Sequence, residues 1–477
     1  MAKTTSRQIA PPWTPLARAL TSTQRRASLA QLRGLLDWQR ALGAWPRLAS
    51  TPSAATPFVS LYERGRLLGC FGSDEGGPGE RVARAFLQAL HDPRVGGSLL
   101  VDRAQVSAEL TYLSEVHALP THDLPRALDE IEVGTHGLAW VAPELARSAL
   151  LLPQVARDHG YTADALLDAL CKKASVTRAE LASGRLFRLA AESMVAHAEP
   201  VDARGTRTEL AAKWLADQID ADGSIAYAVD PRTGTRIDRG LMYHGRAAVL
   251  LQALAAWPQH RRRRALAARR LGAELDAATR GRAPLAWPDD EGQAAGTLAL
   301  AVLAGLPFRE QLLARAGSRA VRESAWHAAQ VVTALGSDAP SELWQRCVGD
   351  LDRRPWAPWT ALAAVALDDR ASYERASHAL VDGLSAKSIH GGGVSLRSVP
   401  ELAVTAIAVE ALAAGRASAA RTAAIMRGRA FLTRWQFMPR QISASIDPAC
   451  AMGAFPVSPV ASALRCDVTA HALLALA

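Results

Sequence analysis

Two residues able to do chemistry near neutral pH lie in glycine-bracketed stretches. Cys70 stands in Leu67-Leu68-Gly69-Cys70-Phe71-Gly72, and His136 in Glu130-Ile131-Glu132-Val133-Gly134-Thr135-His136-Gly137-Leu138. A thiol becomes a useful nucleophile when an imidazole or a helix N-terminus stabilises its thiolate, and the partners need not be close in sequence. Gly69, Gly72 and Gly134 let backbone or ligand come close, and the N–H groups of such turns can face an oxyanion. Glu130 and Glu132 share one face of an extended segment, which places Glu132 to orient His136. Gln154, between Pro153 and Val155, offers an amide to a ligand. The plainer reading makes Cys70 a small buried hydrophobe, His136 a turn cap and Gln154 a partner for buried backbone. Cys171, on an apolar helix face, reads as core.

A second set lies in the later half: Asp222, Asp238, Arg239, His244, Trp287, Asp289, Asp290, Trp326, His327, His390, Asp467 and His471. Paired acids across a cavity can cleave glycosidic bonds, and Trp287, Trp326 and Trp356 can stack on sugars or simply pack. His244 and His471 lie on alanine-rich helical faces, where a satisfied core histidine is the plainer reading. Asp467 and His471 are four apart on one helix and can pair. No D-D-x-x-D or D-x-D-D pattern occurs, which argues against a terpene cyclase.

The elements that carry these residues divide the chain. Residues 1–24 are rich in Pro, Thr and Ser and read as a flexible tail. From 25 to 198 the pattern predicts a helix near 22–42, a hairpin over 58–72, a helix over 80–91, a strand over 107–119, short strands flanking the Gly134–Gly137 turn, and helices over 150–159 and 163–173. Without regular βαβ alternation this is an α+β domain. A linker at 199–207 follows, and 208–477 is helical throughout, in ten or so segments of similar length separated by turns with Gly, Pro and Trp. Stacked helical hairpins make either an open solenoid or a closed α/α toroid, and the toroid is the expectation here.

Four stretches in order carry a resemblance: 67–72, 130–138, Leu150-Leu151-Leu152-Pro153-Gln154-Val155-Ala156, and Leu170-Cys171-Lys172-Lys173-Ala174. Together they resemble the AMMECR family, whose patterns are L-R-G-C-I-G, E-V-G-x-H-G-L, L-L-P-Q-V-A and L-C-x-K-A-G. Leu68 stands where the family has Arg, Ser175 where it has Gly, and Val95-Gly96-Gly97 where it has an aromatic residue and prolines. The resemblance implies the family's α+β fold, no settled activity, and an association of its bacterial members with Memo-type and radical-SAM proteins. Asp220-Ala221-Asp222-Gly223-Ser224 resembles the turns of six-hairpin toroids, and residues 465–473 resemble their last inner helix.

Composition limits the function classes. A length of 477 residues, 49% of them apolar, suits two cores. The net charge of +9 comes mostly from Arg within an Ala- and Leu-rich composition, as in GC-rich bacterial genomes. Arg261–Arg264 and Arg269-Arg270 read as a solvated helix face or an anion patch, and no nucleic-acid module accompanies them. Five scattered cysteines suit a reducing compartment and give no zinc spacing. No apolar run is long enough to span a bilayer, so the expectation is a cytoplasmic protein with no cofactor or metal predicted. The leading reading is an enzyme with a Cys70/His136 pocket and a toroid that binds a polymeric or peptide substrate; the alternatives are a non-catalytic binding or scaffold protein for a small-molecule, peptide or glycan ligand, and a glycosidase- or lyase-like toroid with the first domain as accessory.

Overall fold

Phe58, Ser60 and Tyr62 alternate with Val59 and Leu61, and this stretch forms β1 (Pro57–Glu63) in the computed structural model. The described residues are 12–39, 55–92, 106–145, 147–197, 205–238, 243–280, 291–351, 357–384, 401–438, 445–459 and 461–477. They fall into two units. The first is Met1–Asp202 with Ile442–Ala449 and Pro459–Ser462, and the second is Ala203–Gln441 with Cys450–Ser458 and Ala463–Ala477.

In the first unit, helix α1 (Ser22–Gln39) precedes β1, and β2 (Arg66–Gly72) returns antiparallel to it. Then come α2 (Pro78–Leu90), β3 (Val106–Leu119), α3 (Leu124–Asp129), β4 (Gly137–Ala142), β5 (Arg147–Leu151), α4 (Pro153–His159), α5 (Ala163–Ala174) and β6 (Arg185–Ala196). The six strands form a curled antiparallel sheet in the order β2-β1-β3-β6-β4-β5. On one face Val59, Leu61, Leu110 and Met194 meet Leu32 and Leu36 of α1 and Val82 and Phe86 of α2. On the other, Phe58, Leu113, Ala139, Leu150 and Phe187 form a second cluster, with Cys70 and Val155 against it.

Several expectations change. Residues 12–21 are no frayed tail: Leu16 and Leu20 are buried, and Leu16 N–H donates to Leu113 O at 2.7 Å. Leu150 and Leu151 belong to β5, and the helix begins at Pro153, whose missing N–H suits a first helical position. The Gly134–Gly137 turn has a strand only on its far side. β6, which pairs with both β3 and β4, was not expected at all, because Arg185, Arg188 and Glu192 interrupt its apolar alternation.

The second unit holds α6 (Arg207–Asp217), a small sheet in the order β8-β7-β10-β9, and a long series of helices. The strands are β7 (Ala228–Val229), β8 (Arg236–Ile237), β9 (Pro456–Ser458) and β10 (Ala461–Arg465), of which Ala463–Arg465 belong to this unit. The helices are α7 (Tyr243–Ala253), α8 (Arg261–Thr279), α9 (Glu291–Leu303), α10 (Arg309–Ala316), α11 (Arg319–Glu323), α12 (Ala325–Leu335), α13 (Ser341–Asp350), α14 (Ala357–Ala366), α15 (Arg370–Gly383), α16 (Leu402–Ala414), α17 (Ala419–Trp435), α18 (Pro448–Ala451) and α19 (Cys466–Leu476). Six of them are short and alanine-rich, which lets backbones approach. α7 packs on α9, α9 on α12, α12 on α14, α14 on α16, α16 on α19, and α19 on α7. A partner lies against each: α8 on α7, α10 on α9, α13 on α12, α15 on α14, α17 on α16 and α6 on α19.

The arginine run has structural work in this unit. Arg263 pairs with Asp217 at 2.5 Å, and Arg264 donates to the carbonyls of Leu251 and Ala304 at 2.9 and 3.3 Å, covering the ends of α7 and α9. No helix among the described residues is long and apolar enough to cross a membrane.

Candidate active site

Cys70 is a strand residue, half-buried, with its side chain on the face opposite α2. β2 is the sheet edge, so the Cys70 N–H has no strand to receive it. The buried Asp92 carboxylate takes it at 3.2 Å. Gly69 is explained by the same packing, because a Cβ there would lie 1.9 Å from Ala89 O of α2. A Cβ at Gly72 would strike the Phe58 ring at 2.6 Å. Neither glycine faces open space.

Across the sheet, Cys70 pairs in register with Ser60, and Ser60 with Glu109, so one row crosses β2, β1 and β3 on the same face. Ser60 Oγ–H donates to Cys70 Sγ at 3.2 Å, and Glu109 is 2% exposed. Two residues along β1, Tyr62 O–H donates to Asp158 Oδ2 of α4 at 3.3 Å, while Ser445 Oγ–H donates to Asp158 Oδ1 at 2.9 Å. Burial, reinforced by the negative charges of Asp158, Glu109 and Cys70, holds the Tyr62 phenol well above its ordinary range, so it stays protonated. Gln154 lies one turn before Asp158 on α4. It is buried, and its Nε2 has no hydrogen-bond partner.

His136 is engaged within its own turn. Its Nδ1 accepts from the Glu132 N–H at 3.0 Å, and the N–H groups of Thr135 and His136 both reach Glu132 O. Accepting at Nδ1 fixes the neutral tautomer with its proton on Nε2. Gly134 takes φ +85 at the turn, and β2 and β4 are separated in the sheet by β1, β3 and β6. The structure thus joins Cys70 with Ser60 and His136 with Glu132. Ser60, Tyr62, Glu109 and Asp158 were not singled out in the sequence. The available signal was polar residues at 60 and 62 alternating with core residues at 59 and 61.

In the second unit, Asp222 is exposed and holds a turn: it accepts from Ser224 N and Oγ at 2.9 and 2.7 Å and pairs with Arg270. Those Ser224 bonds lower its pKa. Asp238 is exposed just after β8. His244 is buried, with Nε2 3.3 Å from Glu274. Asp467 is clasped by Arg465 at 3.1 and 2.9 Å and lies 3.4 Å from Arg246. It does not pair with His471, whose Nδ1 is 3.1 Å from Glu410 Oε1 instead. Burial raises the Glu410 pKa, against the opposing pull of His471. Trp287, His390, Arg239, Asp289, Asp290 and Trp356 lie outside the described residues. Among those described, no group of three or more His, Cys, Asp and Glu is arranged to hold a metal ion.

The family model AMMECR1 matches residues 19–193, the span of the curled sheet and its helices. Residues 19–193 are an AMMECR1 domain. The helical region that follows has no family assignment. A protein of Methanococcoides burtonii is 34% identical over 123 residues, 25% of this chain and 60% of its own length. A protein of Thermoplasma acidophilum is 30% identical over 125 residues, again 25% of this chain and 57% of its own. The chain therefore spans less than two thirds of these archaeal relatives. The crystal structure of an uncharacterized protein from Pyrococcus horikoshii is similar at 22% identity with a TM-score of 0.30, over 36% of this chain and 89% of that one. Within the AMMECR1 domain, Cys70 and Gln154 fall in the first and third of the four stretches, while Ser60 and Glu109 lie outside them.

Proposed function

We propose that the AMMECR1 domain is a thiol-dependent enzyme whose nucleophile is Cys70 and whose proton acceptor is Glu109. The observation that carries this is the Ser60 hydroxyl donating to Cys70 Sγ in a row that ends on a buried carboxylate. In the first step the Ser60 hydroxyl turns to accept the Cys70 S–H as it gives its own proton to Glu109, then donates back to the thiolate as in the resting contact, and Sγ forms a bond to an electrophilic carbon whose displaced electron pair stays on the substrate. Gln154 Nε2 supplies a buried donor for that substrate, and His136 with Glu132 shapes the neighbouring turn. The ring of contacts from α7 round to α19 and back to α7, each helix backed by another, supports reading residues 208–477 as an α/α toroid after a linker at 199–207. A partner of the Memo or radical-SAM kind follows only from the family resemblance.

The test is covalent. Full-length protein is incubated with a panel of chloroacetamide fragments and the adducts are located by mass spectrometry. A fragment that modifies Cys70 ahead of the half-buried Cys450, and fails to do so in Gln154→Leu, supports the reading. Equal, non-selective labelling of both thiols contradicts it.

A further inference from the structure

At the starts of α7 and α19 two guanidinium groups share one carboxylate. Arg465 clasps Asp467, with its Nε 3.1 Å from Oδ1 and its Nη2 2.9 Å from Oδ2. Arg246 of α7 brings its Nε to 3.4 Å from the same Oδ2. Two cations therefore meet at a single oxygen atom, and one positive charge is left without a counter-charge.

The cluster does little to relieve that imbalance. Among the described residues Asp467 is the one acid acting on Arg246, and the charge of Arg465 works against it. Water screens Arg246 poorly, because only 16% of its side chain is exposed, and burial lowers its pKa. Arg465 already occupies both Asp467 oxygens, so Arg246 keeps only the long contact through Nε. A charge so far removed from water and so incompletely paired is costly to the fold. The guanidinium is nonetheless held in place, since its Cζ lies over the Tyr227 ring at 4.9 Å from the centroid. The cluster is not sealed in a core: Arg465 is 24% exposed, and Tyr227 is half-buried.

One charge left over calls for a monoanion. A carboxylate carries a single negative charge and has two acceptor oxygens, one for each guanidinium, whereas phosphate brings more charge than the pair can balance. The N-terminal ends of α7 and α19 add a field that favours negative charge. We propose that Arg246 and Arg465 together bind the carboxylate of a small free acid or of a peptide C-terminus. It accepts from Arg246 Nη2 and Arg465 Nη1, which Asp467 leaves unused. The site lies wholly in the second unit and does not rest on the thiol chemistry of Cys70.

The test is saturation-transfer NMR on the full chain with butyrate, benzoate and trialanine, each beside its amide, and with inorganic phosphate as competitor. At least one carboxylate should receive saturation while its amide does not, and which one does so separates a free acid from a peptide terminus. Its Kd should rise about tenfold or more in Arg246→Met, where a charged donor is lost. In Asp467→Asn, where the internal competitor is neutral, the Kd should fall; a purely structural cluster would give no such tightening. No transfer to any acid, equal transfer to acid and amide, or displacement by phosphate at lower concentration than by the acid would overturn the proposal. So would a Kd unchanged in Arg246→Met or raised in Asp467→Asn. If Asp467→Asn fails to fold, Arg246→Met decides, because Arg465 keeps Asp467 paired there; unfolding of that variant too would make the cluster structural and overturn the proposal.

Discussion

Ser60 Oγ–H donates to Cys70 Sγ at 3.2 Å, from directly across the β1–β2 ladder. A hydroxyl held there favours the thiolate over the thiol, because a hydrogen bond to a charged group contributes about 1.5–3 kcal/mol. Ser60→Ala should therefore slow alkylation of Cys70 at neutral pH by about tenfold or more. The rate follows from iodoacetamide labelling read by mass spectrometry. Cys466, whose thiol burial holds far above its ordinary range, serves as the unreactive internal standard.

A backbone argument gives the second prediction. Ser175 closes α5 at φ 56 and ψ 46, the left-handed region. An L side chain there costs about 1–2 kcal/mol, and glycine avoids that cost. Ser175 is exposed, and the hydrogen bond that Arg147 donates to it ends on its backbone carbonyl, so both survive substitution. Ser175→Gly should raise stability by about 1 kcal/mol in urea unfolding.

The sheet carries a pH dependence. His197, just past β6, has both ring nitrogens buried without a hydrogen-bond partner, and burial pushes its pKa down to about 4, against the pull of Asp447 and with a smaller push from Arg33. A depressed histidine pKa means that the unfolded chain takes up the proton first. Its contribution to stability is complete above about pH 6.5 and is lost as pH falls towards the folded value. Over that window wild type should lose about 3 kcal/mol through this residue. His197→Gln should lose correspondingly less, as urea midpoints between pH 7 and pH 4 would reveal.

Much of this was legible in the chain. The hairpin, α2, α5 and most of the later helices follow from apolar spacing, and the left-handed cap at 175 is the physical reason for the glycine expected there. Gly69 and Gly72, in contrast, looked like room for a ligand and are room for Ala89 and Phe58, a distinction that only packing makes. The Cys70 row was hidden because its members sit 10 and 49 positions apart and meet only through strand register, and β6 was hidden by its charged residues. The Glu410–His471 pair is likewise a contact between helices that no spacing within one helix announces.

The most direct measurement is the pH profile of Cys70 alkylation by iodoacetamide in wild type, Glu109→Gln and His136→Ala. With Glu109 as proton acceptor, Glu109→Gln should slow Cys70 by about tenfold or more near neutral pH, while His136→Ala, which loses only its turn cap, should leave the profile unchanged. A faster Cys70 in Glu109→Gln would mean that the carboxylate merely repels the thiolate. That result, or a Cys70 inert in wild type, would contradict the account.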